Sequence, residues 1–537
     1  MDRARLAYAY RQAHEAWQRG ALPEAEQILR ASWAAEGVRT LRGQLLLAYV
    51  LRDAGRPVTE LETLQTLLES LGDAPERDLV ADAWSMAGEA LRLLGESGLA
   101  ASAFLQAAEI EPDAGEKLVE CSNAIFAANA IEGVTAGFMQ GLYARYRAFL
   151  ARLAIEPLPS VYWHHAKLRI GYLSADLRDH PVASFVQPLF CAYDKARFSV
   201  YAYSLAAHED AVTERLRAGG AAWRRMNGQS VAQIAAQIRA DEIDVLVDLA
   251  GHTAGNALPV FAYRPAPAML SGIGYMGSTG LFETSGFLSD TQATPDVVSP
   301  YFVEPLMRLP QSHFCYQPYG AFPAVGVPPC LSRGFVTFGC FNHFSKITDA
   351  MLMLWARILS ALPDARLVLK HKLLGMEEGR AYARRRLARM GLPLDRVELR
   401  GYSAGHLAEY HDIDIALDTS PYTGGLTTCE ALYMGVPVVT LAGAYHGARF
   451  GVSLLGNAGL SELVAEDGDG YVALAVQLAQ DKALITSLRQ GLRARMTSSS
   501  LMDGNAYVRA VERLYLHLAE DGFLNQNDTD AHRTGGE

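Results

Sequence analysis

The sequence has little cysteine and no long hydrophobic run. Its 537 residues contain six cysteines, at positions 121, 191, 315, 330, 340 and 429, with no C-x-x-C pair among them. This spacing excludes a zinc ribbon and a disulfide-rich secreted domain, so we expect reduced, mostly buried thiols. No stretch approaches the roughly 18 apolar residues of a membrane span, and the charged N-terminal segment lacks the apolar core of a signal peptide. We therefore expect a cytoplasmic protein without a membrane partner.

An excess of positive charge is also absent. Lys and Arg number 48 against 59 Asp and Glu, which gives a net charge of −11. Binding to a nucleic-acid backbone requires a basic face, so nucleic acid is excluded as a general partner. A local basic pocket for one small anion stays compatible with this balance. At roughly 100–200 residues per domain, the length predicts three or four domains.

Residues 1–115 have the apolar spacing of paired helices. The clearest unit resembles a tetratricopeptide repeat (TPR), a pair of helices that stacks on its neighbours. Glycines at the predicted turns, Gly20, Gly55 and Gly95, recur at intervals of 35 and 40 residues. The alternative is a plain helical bundle. Eight positions of the third unit favour the TPR-like arrangement: Trp84, Gly88, Leu91, Gly95, Ala100, Phe104, Ala107 and Pro112. Residues 116–160 continue as a helical cap and linker.

From residue 161 the pattern changes to short β-rich runs that alternate with helices. This alternation predicts an α/β class with parallel sheets covered by helices. We place an N-terminal Rossmann-like half at 161–325, a C-terminal half at 326–523 and a disordered polar tail at 524–537. Two such halves in tandem create a crevice at the carboxyl ends of their strands. The predicted strands are 168–174, 198–204, 243–251, 335–341, 365–370, 396–401, 413–419 and 437–443.

A literal G-x-G-x-x-G stands at Gly272, Gly274 and Gly277. A dinucleotide fingerprint must join a strand to a helix. Here the surrounding segment, residues 268–286, has the composition of a loop. A nicotinamide enzyme is therefore disfavoured.

The strongest local signal for ligand binding is the segment 417–443. A predicted strand ends at Asp418, a glycine-rich turn follows, and a helix begins near Thr427. Backbone N–H groups at a helix start, together with the Thr427 and Thr428 hydroxyls, make an anion site. Glu430 lies one turn inside the helix, where its carboxylate could accept a bond from a ribose hydroxyl. The alternative is an ordinary capped helix with an acidic first turn.

Four further residues lie at the ends of predicted strands or in the loops that follow them, and so reach the same kind of edge. Lys346 could neutralise charge on a departing diphosphate, although most lysines are plain surface residues. His180 stands before a proline in a loop, and a histidine near neutrality could accept a hydroxyl proton; a structural histidine is the alternative. Asp248 and His252 end a strand and enter the predicted crevice.

Several of these motifs, in the same order, resemble the O-GlcNAc transferase and SPINDLY family of TPR-containing protein O-glycosyltransferases. The resemblance covers roughly 165–520. It implies a GT-B fold and an inverting, metal-independent transfer of sugar from a nucleotide sugar to Ser or Thr of a protein. The motifs are DHP at His180, RPAP at 264–267, GYxGSTG at 274–280, FNxxxKI at 341–347, and the LDTxPYxG and TTCEALYMGVPVVTLAG segments within 417–443.

The resemblance also implies roles for individual residues. Lys346 is similar to the lysine that contacts the donor diphosphate, and His180 to an active-site histidine that acts as a base or orients the substrate. Glu430 matches the acidic residue on the ribose. The remaining donor-binding candidates are Asn342, His343, Gly424, Gly425, Thr427 and Thr428. A candidate acceptor or sugar pocket comprises Asp248, His252, Tyr275 and Thr279. We expect neither a metal nor a cofactor.

Two departures from the family bear on the donor. Animal members have a histidine before the paired threonines, where this chain has Gly424, Gly425 and Leu426. Met276 replaces the proline of many relatives. The AGHT sequence at 250–253 is closer to that of the SPINDLY branch. We expect UDP-GlcNAc as donor; the alternatives are GDP-fucose, as in plant SPINDLY members, or another nucleotide sugar.

The partner of such an enzyme is a protein acceptor held by the TPR region. Bacterial relatives with this layout suggest flagellin, an adhesin or another surface protein as acceptor. Formation of a homo-oligomer stays open. A competing hypothesis from another class is a TPR adaptor whose α/β part senses a nucleotide sugar without turnover.

Overall fold

The computed structural model describes residues 3–71 and 76–533, with side chains described to residue 520. The described chain divides into two compact units that do not follow its linear order. The first comprises Met1–Glu132 and Phe335–His406, and the second Gly133–Gly334 and Leu407–Glu537. Within the described residues, no helix is long and apolar enough to cross a membrane.

The helices begin with the predicted N-terminal pairs and recur between strands thereafter. In chain order they are α1 Arg3–Gln18, α2 Leu22–Glu36, α3 Leu41–Asp53, α4 Pro57–Glu69, α5 Arg77–Leu94, α6 Ser97–Ile110, α7 Ala114–Ala128, α8 Ala136–Ala151, α9 Ala183–Cys191, α10 Ala211–Arg217, α11 Val231–Ala240, α12 Cys330–Arg333, α13 Asp349–Ala361, α14 Glu377–Arg389, α15 Leu426–Tyr433, α16 Phe450–Asn457, α17 Gly468–Gln480, α18 Lys482–Thr497 and α19 Gly504–Arg533.

The strands are short and largely buried, as expected of parallel sheets. They are β1 Leu168–Ser174, β2 Phe198–Ser204, β3 Ala222–Arg225, β4 Val245–Asp248, β5 Ala268–Gly272, β6 Gly286–Asp290, β7 Leu306–Leu309, β8 Thr337–Cys340, β9 Arg366–Lys370, β10 Val397–Arg400, β11 Ile415–Leu417, β12 Val438–Leu441 and β13 Val464–Ala465.

The first unit contains antiparallel helix pairs joined by glycine turns. Gly20, Gly55 and Gly95 separate the helices of successive pairs, with φ angles of +76°, +69° and +84°. Glycine suits these left-handed turns because it has no side chain to clash with the backbone. Apolar residues at helical spacing then meet between helices, as where Leu29 and Trp33 of α2 pack with Leu47 and Leu51 of α3. The predicted helical repeat region is confirmed.

The same unit contains the beginning of the C-terminal α/β half. Strands β10, β9 and β8 lie side by side in this order and are parallel. Helices α13 and α14 connect them in the chain. In the second unit, β11, β12 and β13 form a parallel set in that order. The C-terminal Rossmann-like half therefore contributes strands to both compact units.

The second unit contains a seven-stranded parallel sheet in the order β3-β2-β1-β4-β5-β6-β7. The chain moves outward in one direction from β1 to β3 and in the other from β4 to β7, so the order reverses between β1 and β4. In doubly wound sheets, ligands bind outside the carboxyl ends of the strands at this switch point. Residues that follow β1 and β4 are accordingly candidates for a site.

Three sequence expectations differ from the structure. Residues 268–286, interpreted as a loop, contain β5 and the start of β6. Gly272 and Gly286 gave these strands the composition of a loop. No helix follows β5 within the described residues 273–285, so the motif still lacks the geometry of a dinucleotide fingerprint. The short strands β3, β7 and β13 were not predicted. Finally, α19 continues to Arg533 because no proline or glycine interrupts residues 524–533, while 534–537 of the predicted tail lie outside the described residues.

Candidate active site

Lys346 lies in a short 3-10 turn, Phe344–Lys346, which begins four residues after β8 ends at Cys340. Phe344 is fully buried beneath this turn, and the Lys346 amide donates to the His343 carbonyl at 2.9 Å. Asn342 is buried as well, at 5% exposure. The FNxxxKI motif thus forms a compact turn whose apolar member anchors it while Lys346 stays partly exposed.

His343 of this turn lies next to His371 and near the cationic side chains of Arg92 and Lys346. Its ring lies 4.0 Å from the ring of His371, centroid to centroid, and its Nδ1 is 2.7 Å from Ser345 Oγ. Burial, followed by the neighbouring His371 and the cationic Arg92 and Lys346, holds the pKa of His343 well below its usual range. The imidazole is therefore neutral at physiological pH, and the surroundings favour an anion.

Lys370 and His371 are neighbours of this turn that the sequence analysis did not single out. Lys370 ends β9, and its Nζ donates to the Gly401 carbonyl and to Ser403 Oγ, both at 2.8 Å. These bonds tie the loop after β10 to the end of β9. Burial lowers the pKa of His371 to about 3. The only sequence signal was a Lys-His-Lys run at the end of a predicted strand.

In the second unit, Asp418 organises the glycine-rich turn before α15. It is 2% exposed, and its Oδ1 accepts from the amides of Thr419 at 2.8 Å and Gly424 at 2.7 Å. Its Oδ2 accepts from Thr440 Oγ1 at 2.8 Å. A buried carboxylate that collects donors from the turn and from β12 holds the start of α15 in a fixed place.

The start of α15 has the geometry expected of an anion-binding helix terminus. Gly425 precedes the helix and has no side chain with which to cap it. Thr428 is buried and donates to the Gly424 carbonyl at 3.2 Å, whereas Thr427 is partly exposed. Glu430, at 9% exposure, lies inside the first turns. Backbone N–H groups at a helix start can bind an anion, so this terminus is a candidate phosphate site.

His180 lies in the loop after β1, at the switch point of the seven-stranded sheet. Its Nδ1 is 3.6 Å from Oδ1 of Asp176, a carboxylate that is 5% exposed, and its own side chain is 32% exposed. Burial lowers the pKa of His180, and the nearby Asp176 opposes that shift. An accessible, mainly neutral imidazole backed by a carboxylate is chemically able to accept a proton.

Two tyrosines between β7 and α12 lie near α15, and one of them also reaches the His180 loop. Tyr319 donates to Asp179 Oδ1 at 2.8 Å, beside His180. Burial, the Asp179 carboxylate and the more distant Glu430 carboxylate all raise the pKa of Tyr319. Tyr316 is 1% exposed, and its hydroxyl has no hydrogen-bond partner within the described part of the chain. Tyr319 therefore lies close both to the His180 loop and to Glu430.

The proposed acceptor or sugar pocket residues are all buried. Asp248 accepts from the amides of Ala250 and Gly251, at 3.2 and 2.7 Å, and burial raises its pKa to about 6. Nε2 of His252 lies 2.9 Å from the Thr279 carbonyl, and the Thr279 amide donates to Glu304. Tyr275 is 2% exposed. In this structure these side chains support loops at the carboxyl edge; contact with a substrate stays a prediction.

Within the described residues, no group of three or more His, Cys, Asp or Glu side chains is arranged to hold a metal ion. Metal independence itself stays a prediction.

Comparison with known proteins places these motifs in a family context. The model for "Glycosyl transferase family 41" matches residues 154–325 and 330–511. A protein of Petunia hybrida named "Probable UDP-N-acetylglucosamine--peptide N-acetylglucosaminyltransferase SPINDLY" is 40% identical over 365 residues, which cover 66% of this chain and 39% of the plant protein. The Arabidopsis thaliana protein of the same type named SEC is 27% identical over 365 residues, 66% of this chain and 37% of its own length. The chain thus spans about two fifths of these plant relatives.

A solved structure resembles the chain over nearly all its length. It is a lysine-to-methionine mutant of the O-GlcNAc transferase of Thermobaculum terrenum, with a TM-score of 0.83 and 30% sequence identity. The match covers 98% of this chain and 100% of the other. The similarity extends over the helical repeats as well as the α/β halves, and it confirms the predicted GT-B arrangement.

Proposed function

Since the chain belongs to glycosyl transferase family 41, we propose that it transfers a sugar from a nucleotide sugar to Ser or Thr hydroxyls of a protein. The observation that carries this proposal is the combination, in one chain, of helical repeats with two sets of strand-end loops that bear the expected chemistry. A cationic turn at Lys346 and a helix start at Thr427 are suited to a diphosphate. A neutral histidine backed by a carboxylate is suited to a hydroxyl.

The first step assigned to the chain is stabilisation of the leaving group. As the bond between the anomeric carbon and the diphosphate breaks, negative charge grows on the phosphate oxygens. Lys346 would neutralise that charge, next to two histidines whose pKa values are lowered and near the cationic Arg92 of α5. Stabilisation of charge that develops in the transition state is often the largest contribution to catalysis.

Donor recognition would also draw on the loop and helix of the second unit. The α15 start would donate backbone N–H groups and the Thr427 hydroxyl to phosphate oxygens. Glu430, buried but close to Tyr316 and Tyr319, would accept from a ribose hydroxyl. Because Asp418 fixes Gly424 at 2.7 Å, this arrangement needs little reorganisation when the donor binds.

The second step is attack by the acceptor hydroxyl on the anomeric carbon, from the side opposite the diphosphate. The oxygen forms the new bond as the bond to phosphate breaks, so the configuration inverts. His180 would accept the hydroxyl proton at the ring nitrogen that faces the acceptor, and Asp176 would stabilise the resulting imidazolium. This route requires neither a metal nor a cofactor.

For the donor we propose UDP-GlcNAc, because relatives at about 40% identity are named as N-acetylglucosaminyltransferases. GDP-fucose is the alternative that the SPINDLY-like motifs suggest. We propose that the helical repeats hold an extended acceptor segment, which raises its effective concentration at the reacting centre. A flagellin or another surface protein fits this role, and a cytoplasmic location would let the enzyme modify it before export.

A donor panel tests the proposal. Purified protein is incubated with UDP-GlcNAc, GDP-fucose and other nucleotide sugars, with and without cell extract, and released nucleotide is measured. We expect release with one donor that increases with extract, and its loss in Lys346→Ala with the thermal midpoint unchanged. No release with any donor would instead favour an adaptor that senses a nucleotide sugar. Full turnover by Lys346→Ala would exclude the proposed role of the lysine.

A further inference from the structure

The helical repeats contact the Lys346 turn through one particular connection. The turn between α5 and α6, Gly95–Glu96, lies against the 344–346 turn and α14 within the first compact unit. Ser97 Oγ lies 3.5 Å from the Ser345 carbonyl and is 6% exposed. A Cβ on Gly95 would lie 3.4 Å from the Phe344 carbonyl. Ser97 therefore contacts the backbone of the turn that bears Lys346, and Gly95 lies next to the same turn.

Arg386 of α14 contacts both the repeat turn and the Lys346 turn. Its side chain is only 5% exposed, and its guanidinium carbon lies 5.7 Å from the centroid of the Phe344 ring. Nε donates to Asp349 at 2.7 Å, and Nη1 lies 3.5 Å from the Leu94 carbonyl, at the end of α5. One buried arginine thus joins the repeat turn, the anchor of the Lys346 turn and α13.

Two further links keep the repeats in place on α14. Glu96 accepts a short hydrogen bond from the Tyr382 hydroxyl. In the preceding pair, Glu378 accepts from Arg56 at 2.9 Å and from the Thr59 amide at 3.0 Å. Ion pairs and charged hydrogen bonds along two successive turns make the repeats a fixed support for this region.

The repeats also contribute charge. Arg92, in the last turn of α5, is close enough to lower the pKa values of both His343 and His371, after burial, the largest cause of each shift. Its guanidinium pairs with Glu89 at 2.6 Å, three residues earlier on the helix. A guanidinium next to the Lys346 turn adds to the positive field that a diphosphate would meet.

We propose that the α5–α6 turn positions Lys346, so that the repeat region takes part in donor binding as well as in holding an acceptor. This inference rests on the proposed function, in which Lys346 contacts the donor diphosphate. According to this proposal, the residues that position Lys346 are Gly95, Ser97 and Arg386, and Arg92 adds positive charge beside it. Donor affinity then depends on a contact that a repeat domain serving only the acceptor would not need.

The chain offers a matched pair of substitutions for the test. Gly95 and Gly20 both occupy left-handed turns between paired helices, at φ +84° and +76°. A Cβ on Gly95 would meet Arg386 Nη1 at 2.6 Å, whereas one on Gly20 would meet nothing within 4 Å. Gly95→Ala and Gly20→Ala therefore share the backbone strain but differ in the contact.

Binding of UDP and GDP is measured by calorimetry on the full chain, with thermal unfolding recorded for each variant. We expect Gly95→Ala to bind the preferred nucleotide about tenfold more weakly, the scale of a small misplacement of a binding group. Gly20→Ala should bind as the wild type, and its thermal stability should fall only by the cost of the backbone strain that both variants share. Equal nucleotide affinity of the two variants would overturn the proposal.

Two milder changes keep the proposal testable if Gly95→Ala does not fold. Ser97→Ala removes the contact to Ser345, and Ser102→Ala, on the exposed side of the same helix, is its control. Arg92→Gln should weaken binding and reduce its dependence on salt. Wild-type binding by both Ser97→Ala and Arg92→Gln would contradict the proposal. Wild-type binding by Lys346→Ala would instead refute the proposed function on which it rests.

Discussion

Removal of the Asp418 carboxylate should release the glycine-rich turn before α15 from strand β12. Three donors converge on this buried group: the amides of Thr419 and Gly424 and the hydroxyl of Thr440, at 2.8, 2.7 and 2.8 Å. Leaving a buried donor without a partner costs about 1–3 kcal/mol. Because the Thr440 hydroxyl can rotate to another acceptor, we expect Asp418→Ala to lower the free energy of unfolding by about 3–5 kcal/mol.

A graded series separates this loss from a general defect. Asp418→Asn keeps one acceptor oxygen for the two amides, so it should cost about 1–2 kcal/mol, mainly through the lost charge. Thr440→Val removes a single donor and should cost about 1 kcal/mol. Because Gly424 leads directly into α15, nucleotide affinity should fall in the same order as stability.

Urea denaturation gives the stability of each variant, and calorimetry with UDP and GDP gives its affinity. The reasoning predicts that Asp418→Ala loses most of both quantities while Thr440→Val stays near the wild type. If Asp418→Ala changed the free energy of unfolding by less than about 1 kcal/mol, the carboxylate would not organise the loop. If the affinity stayed constant across the series, the loop would not belong to the donor site.

Two further predictions concern titrating groups. Asp176→Asn removes the charge that opposes the burial-induced lowering of the His180 pKa, so the acidic limb of the kcat/KM profile should move to lower pH; an unchanged profile would show that Asp176 does not act on the reacting histidine. Burial lowers the pKa of His252 to about 4 in the folded chain. Between pH 6.5 and 4 the imidazole is therefore protonated in the unfolded chain but neutral in the folded one, so the free energy of unfolding falls as the pH drops through this range. Between pH 7 and 5 this amounts to about 2 kcal/mol, and His252→Gln should flatten that part of the stability curve; an equally steep curve in the variant would assign the acid loss to other groups.

Much of the fold was predictable because its strands are bounded by clear turns. Residues 168–174 and 198–204 were predicted as strands and are β1 and β2, with the same bounds. Ile and Tyr in the first run, and Phe, Val and Tyr in the second, are β-branched and aromatic residues typical of strands. By contrast, β5 and β6 carry Gly272 and Gly286, where glycine gives no strand signal. A Cβ on Gly286 would lie 2.6 Å from the Met307 side chain, so close packing explains the glycine.

The sequence offers a candidate site residue where one motif carries its own chemistry, as at Lys346 and Glu430, and the roles of both stay predictions. Residues that act through another group were not predictable. Asp176, Lys370 and Tyr319 are recognisable only once the structure shows a carboxylate 3.6 Å from His180 or an ammonium that joins the end of β9 to the loop after β10. The support of the Lys346 turn by Ser97 joins residues 248 positions apart. Sequence periodicity contains no information on contacts of that range.

The central claim, transfer of a sugar to a protein hydroxyl, is tested most directly by the mass of acceptor proteins. Cells that co-express the wild-type chain or Lys346→Ala with a candidate flagellin are compared by intact-mass and fragment analysis. The account predicts a sugar-sized increment on Ser or Thr with the wild type, equal to one N-acetylhexosamine for a UDP-GlcNAc donor, and no increment with Lys346→Ala. An increment equal in both strains, or none in either across a proteome-wide search, would contradict the account.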